Sequence, residues 1–184
     1  MSLNIINRNS KIVVIGTSGA GKTTVARTLA RKFCLKDIEL DALFWEPNWT
    51  ETSPEIFRSR VSQAISESPS WIAHGNYSKV RDLIWSNASV LIWLDFPRSI
   101  VLWRVIKRSM LRIFKREILW AGNRESFRKT FFSRDSIILY TWRRHPMFRQ
   151  WYSELITSSE ASHLKVLKFS HPNELSQFLE QLGE

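Results

Sequence analysis

At 184 residues and 43% hydrophobic content the chain suits one domain with a proper core, and nothing in it reads as a linker to a second. A single cysteine, Cys34, excludes an intrachain disulfide; MSLNIINRNSK lacks the apolar core of a signal peptide; and the longest uncharged apolar-rich run, 83–94, is 12 residues, well short of a membrane span, so a cytoplasmic protein is expected. The formal charge of +10 is concentrated, because residues 98–149 hold 14 Lys/Arg against 3 Asp/Glu, which marks a segment dedicated to polyanions.

The first element is an apolar strand, KIVVI (11–15), that breaks into G-x-x-x-x-G-K-T. Gly16, Thr17, Ser18, Gly19, Ala20, Gly21, Lys22, Thr23 and Thr24 then form a phosphate-binding loop of the Walker A type. Its glycines let backbone N–H groups wrap a triphosphate closely. The helix opening at Lys22, with Val25, Ala26, Leu29, Ala30 and Phe33 at helical spacing, aims its N-terminus at the same anion. Lys22 adds a point charge near the β/γ oxygens of ATP, and the Thr23 hydroxyl is placed to ligate Mg²⁺.

A second strand, IEL (38–40), is followed by Asp41, with the aromatics Phe44, Trp45 and Trp49 beside it. Ser53 and Pro54 signal a helix start. Strands WIA (71–73) and SVLIWL (89–94) lead to HGNY (74–77) and to Asp95. Next comes an Arg-rich helical insertion at about 112–148, which has the look of a lid. RVIKRSMLR puts Arg104, Arg108 and Arg112 at i, i+4 and i+8 on one helix face. The last strand, LKVLKF (164–169), runs to His171 and Pro172 and a final helix.

Strands alternating with helices predict a three-layer α/β fold, a five-stranded parallel sheet with helices on both faces. Ligands of such sheets sit at the carboxyl ends of the strands, where Gly16–Thr24, Asp41, residues 74–77 and Asp95 would converge.

The P-loop, LDALFWEPNW (40–49), WIAHGNYSKVRD (71–82), LDFPR (94–98), the arginine helix and GNRESFRKTFFSRDS (122–136) together carry a resemblance over nearly the whole chain. The chain resembles the nucleoside monophosphate kinase group of P-loop proteins, and within it the adenylate-kinase-related family often labelled DNA topology modulation proteins. The resemblance implies that Arg104 stacks on adenine, that Arg108 reaches the phosphates, that Arg124, Arg128 and Arg134 are lid arginines, and that His171 closes the adenine pocket. It further implies that Asp41 orients or deprotonates the acceptor hydroxyl. The plain structural alternatives are a helix cap for Asp41, a capping residue for His171 and a solvated basic face for the arginines. His74 departs from the family pattern, which places an aspartate there to support the Mg²⁺ water shell.

These features lead to an ATP-binding phosphotransferase with Lys22, Asp41, Arg108 and Arg124 in catalysis, Mg-ATP on residues 16–24 with Arg104 and His171, and an unidentified small-molecule acceptor. The alternatives are a nucleotide-dependent, DNA-associated regulator and a nucleotide binder without turnover. Nucleic acid is the less favoured partner, and no membrane association is expected.

Overall fold

The computed structural model describes residues 5–133 and 136–182; Arg134 lies outside them. Seven strands and eight helices are built among those residues: β1 (Lys11–Gly16), α1 (Lys22–Phe33), β2 (Lys36–Glu39), α2 (Leu40–Phe44), β3 (Trp45–Glu46), β4 (Thr50–Glu51), α3 (Pro54–Ser66), β5 (Trp71–His74), α4 (Arg81–Asn87), β6 (Val90–Leu94), α5 (Arg98–Phe114), α6 (Phe127–Phe132), α7 (Ile137–Leu155), β7 (Lys165–Phe169) and α8 (Pro172–Gln181). Five strands form one parallel sheet in the order β2-β5-β1-β6-β7. β1 is central, with β2 and β5 on one side and β6 and β7 on the other. The loop after β1 therefore leaves the sheet where connections diverge to opposite sides, the place at which open α/β sheets bind ligands.

Strand residues of period two divide the core between the faces. Val13 and Ile15 pack with Phe57 of α3, Trp85 of α4 and Tyr152 of α7. Ile12 and Val14 pack with Leu29 of α1, Val101 of α5 and Leu175 of α8. Both faces are covered, as the near-continuous apolar runs of β1 and β6 require. Ser53 caps α3 by accepting the Ile56 N–H at 3.3 Å, with Pro54 at the first helical position.

The second strand starts two residues before the expected IEL and ends before Leu40, which opens α2. β2 lies at the sheet edge, so Lys36 and Asp37 can pair with β5 while their side chains reach solvent. β3 and β4 make a small antiparallel hairpin that no periodicity announces, since each strand has two residues. Its turn places Asn48 (φ 62°) and Trp49 (φ 59°) in the left-handed region, which a bulky residue adopts only when its surroundings hold it there.

Between β6 and β7 the chain is largely helical. α5 buries Val101, Val105 and Ser109 and leaves Trp103, Met110 and Phe114 exposed on the opposite side. α7 runs through Pro146 to Leu155, anchored by a hydrogen bond between His145 Nε2 and the Phe96 carbonyl at 2.9 Å and by burial of Tyr152 against Trp93. No helix of the described residues is long and apolar enough to cross a membrane.

Candidate active site

The loop between β1 and α1 is shaped by contacts that only glycine permits. A Cβ on Gly19 (φ 83°) would stand 2.5 Å from the Val101 carbonyl oxygen and 2.7 Å from Val105 Cγ2, so α5 lies directly on the loop. Lys22 Nζ donates to the Gly16 and Thr17 carbonyls at 2.7 and 3.1 Å. Burial lowers its pKa to about 8, against the opposing pull of Asp41; Arg108 adds to the lowering. Asn76 clamps the first glycine from β5's side: its Nδ2 donates to the Gly16 carbonyl at 2.6 Å and its Oδ1 accepts the Gly16 N–H at 3.4 Å.

The arginine face of α5 points at this loop. Arg104 Nη1 donates to the Ala20 carbonyl at 3.3 Å, with its guanidinium 5.4 Å from the Phe96 ring centre. Arg108 Nη2 donates to Ser18 Oγ at 3.3 Å, while its Nε is buried without a protein partner. Burial, then Arg112, pushes the Arg108 pKa down, partly countered by Glu125 and Asp41. A buried guanidinium with an unused donor is suited to an anion in the loop. Arg112 itself is bound to Glu125 at 2.9 Å and approaches Glu117 at 3.6 Å.

Asp41 is half-buried and accepts the Tyr77 hydroxyl on Oδ1. Burial, then Asp41, raises the Tyr77 pKa, so the phenol remains a donor. Asp41 lines the same cleft as Lys22, Arg108 and an aromatic wall, and it opposes the lowering of both cations' pKa. That wall is a chain of edge-to-face rings, Trp45 to Trp49 at 5.4 Å and Trp49 to Trp120 at 6.2 Å.

Asn123, nearly buried, fastens this wall. Its Oδ1 accepts the Trp49 N–H, and its Nδ2 donates to the Glu46 and Trp120 carbonyls, each at 2.9 Å. Trp49 Nε1 donates to the Arg124 carbonyl at 3.2 Å. The insertion is thereby joined to the β3–β4 turn, and the left-handed backbone at Trp49 is held in place.

His74 is 1% exposed and links β2 to the loop. Its Nε2 lies 3.1 Å from Asp37 Oδ1 and its Nδ1 3.5 Å from Thr23 Oγ1. A neutral ring that donates to Asp37 leaves Nδ1 free to accept from Thr23. Thr23 thus offers a hard oxygen suited to Mg²⁺, held toward β2 through His74 and Asp37. Among the described residues no group of three or more His, Cys, Asp or Glu forms a metal cage. This donor set fits an Mg²⁺ ion that arrives on nucleotide phosphates and keeps several waters.

One cleft of about 1850 Å³ takes in these parts, from Ser18 through Thr24, with Asp41, Arg104, Arg108 and Arg124 on its lining. Gly16 and Thr17 lie buried beneath it. Arg128 is exposed and is not part of the lining. His171 caps α8, its Nδ1 accepting the Asn173 N–H at 3.3 Å, and it is Pro172, Leu175 and Leu179 that reach the cleft. Asp95 does not converge on the crevice as its position after the fourth strand suggests. It is buried in ion pairs with Arg149 at 3.1 Å and Lys168 at 3.0 Å.

The sequence places Asn76 and Tyr77 at the crevice without naming their partners, and leaves Trp120 and Asn123 without a role. The first two lie in the HGNY run and the last in GNRES, so the signal was present as a motif without a partner.

No protein-family model matches the sequence, and none of the curated proteins is similar to it. Solved structures are similar over nearly the full length. A gluconokinase from Sinorhizobium meliloti superposes with a TM-score of 0.52 at 14% identity, covering 96% of this chain and 91% of that one. A shikimate kinase from Acinetobacter baumannii, in complex with shikimate, gives 0.52 at 18%, with 98% and 96% covered. A sugar kinase from a Janibacter species gives 0.50 at 20%, with 92% and 90% covered. The chain shares the three-layer α/β fold of these three kinases. The likeness extends through the region between β6 and β7, since so little of any of these chains is left uncovered.

Proposed function

We propose that this chain is an ATP-dependent phosphotransferase that moves the γ-phosphoryl group of Mg-ATP to a small-molecule acceptor, with a nucleotide site of the adenylate-kinase type. The observation that carries the reading is the single cleft in which the phosphate loop and the α5 arginines face Asp41 and the indole wall. A site for one drug-sized ligand occupies about 300–1,000 Å³. This cleft has room for two substrates.

Phosphoryl transfer asks a protein chiefly for alignment and positive charge. Lys22 and Arg108 supply charge at the β/γ oxygens, the loop N–H groups hold the triphosphate, and Arg104 lies beside the base. Thr23 Oγ1 would hold Mg²⁺, which would supply neutralisation of the phosphate charge. Asp41, kept in place by Tyr77, accepts a hydrogen bond from the acceptor hydroxyl and takes its proton as oxygen attacks the γ-phosphorus. The bond to the β–γ bridging oxygen breaks, and ADP leaves. Arg124, at the rim, closes over the transferring group in the manner of a lid arginine.

The test is ATP consumption over a panel of nucleosides, nucleoside monophosphates, sugars and hydroxy acids, with Lys22→Ala as the control. Acceptor-dependent ADP release that vanishes in the variant is expected. Calorimetry showing unchanged ATP affinity in Lys22→Ala would remove the reading.

A second reading, a nucleotide-dependent regulator on DNA, draws on Lys107, Lys115 and Arg116, which are exposed and without an ion pair among the described residues. Its signature is an affinity that falls steeply with salt.

A further inference from the structure

The charged groups of the cleft are arranged differently at its two ends. At the phosphate loop, Lys22, Arg104 and Arg108 bond carbonyl or hydroxyl oxygens, and no described carboxylate lies within ion-pair distance of them. At the other end Arg112 is paired with Glu125 at 2.9 Å and Lys79 with Glu51 at 3.4 Å, and on the same lining Arg27 of α1 meets Glu39 at 3.2 Å. The Arg112–Glu125 pair is largely buried, with 17% and 12% of the two side chains exposed, so an incoming anion would have to displace a carboxylate that water does not screen. The cations left over on the lining, Arg124, Arg143 and Arg144, are all exposed, where a single charge attracts an anion weakly.

That end also presents apolar ring surface and a carboxylate acceptor. Trp45, Trp49 and Trp120 are half-buried and present their indoles to the cleft, and Asp41 keeps its second carboxylate oxygen beyond the Tyr77 bond. Indole faces cover the face of a flat or puckered ring, and a carboxylate accepts from a hydroxyl.

We infer that the acceptor is an uncharged, hydroxylated ring compound, a nucleoside or cyclic sugar alcohol, and that monophosphates and carboxylates are disfavoured by the pre-paired cations. This rests on the phosphotransferase reading. It also runs against the nucleoside monophosphate acceptor that the sequence resemblance implies.

The experiment uses matched pairs that differ only in an anionic group: four nucleosides with their 5′-monophosphates, and hexoses with the corresponding sugar acids. Binding to the ADP-loaded protein is read by tryptophan quenching, and ATP turnover is read separately. The neutral member of at least one pair is expected to bind about tenfold tighter than its anionic partner, and Trp49→Ala to lose that binding. Glu125→Gln frees Arg112 and is expected to move the preference toward the anionic member by about tenfold, with Glu51→Gln freeing Lys79 as a second route should the first variant fold poorly. Tighter binding of the anionic members to the unaltered protein overturns the inference, as does binding of neither member while ADP binds. Neutral compounds that bind without turnover would establish the preference of the cleft for uncharged rings but overturn the phosphotransferase reading, and with it their assignment as acceptors.

Discussion

Lys22 couples the phosphate loop to pH. Burial disfavours its charge in the free protein and lowers its pKa to about 8, whereas an unfolded lysine titrates near 10.4. Between those values the unfolded chain holds the extra proton, so this group's contribution to stability rises with pH across the window. Nucleotide binding has the opposite sign, because the triphosphate needs the ammonium. ATP affinity is therefore expected to hold below pH 8 and to weaken by up to about tenfold for each pH unit above it, with proton uptake on binding. Calorimetry in two buffers of different ionisation enthalpy measures both quantities. An affinity flat from pH 7 to 9.5 would contradict it, and Lys22→Ala should show no such trend. The place of Lys22 at the turn from β1 into α1 was legible because the glycine-rich pattern fixes the residues around it. Asp37 and Asn76 were not, since their partners, His74 and the Gly16 backbone, are distant in sequence and meet them only through the β2–β5–β1 register.

At the scale of elements, the sheet strands were readable from buried apolar runs, least accurately at the edge, where β2 begins with Lys36 and Asp37. The β3–β4 hairpin left no trace in the pattern because its order comes from elsewhere, from Asn123 seventy-odd residues on. Asn123→Ala strips the Trp49 N–H of its acceptor and two carbonyls of their donor. A loss of about 2 kcal/mol is expected, together with a change in tryptophan emission as Trp49 and Trp120 part. A change under a few tenths of a kcal/mol would mean that the rings alone hold the turn. The same link predicts how the insertion moves. With α5 lying on the loop and the 115–126 segment tied to the acceptor wall, a nucleotide that engages Arg104 and Arg108 should order the segment and slow tryptic cleavage after Lys115, Arg116 and Arg124. Equal cleavage rates with and without Mg-ATP would show that the insertion does not close. Pro146 lies inside α7 without ending it. The lost hydrogen bond is offset by burying Tyr152 and anchoring His145.

The net charge of the whole molecule poses a question that composition alone leaves open, whether the basic block serves a triphosphate or a nucleic acid. Its basic residues are divided between two surfaces. Arg104, Arg108 and Arg112 line the cleft, whereas Lys107, Lys115 and Arg116 stand outside it. If the cleft is the functional site, the energy of binding must be coupled to the whole fold, because the loop, α5 and β5 all meet there. A ligand that binds only the native state at about 100 times its dissociation constant stabilises by about 2.7 kcal/mol, which for a chain of this size raises the melting temperature by roughly 5–10 °C. Mg-ADP is expected to do so, and Lys22→Ala to abolish the shift. Duplex DNA held by the outer lysines would touch few elements and depend on screening. Its affinity should stay in the non-specific range of about 10⁻⁴ to 10⁻⁶ M at physiological salt and fall linearly on a log–log plot as salt rises. Mg-ADP should neither compete with it nor need it. A thermal shift from DNA that equals the nucleotide's, or DNA binding that Lys22→Ala or Mg-ADP alters, would instead place nucleic acid in the cleft and make the regulator reading the better one.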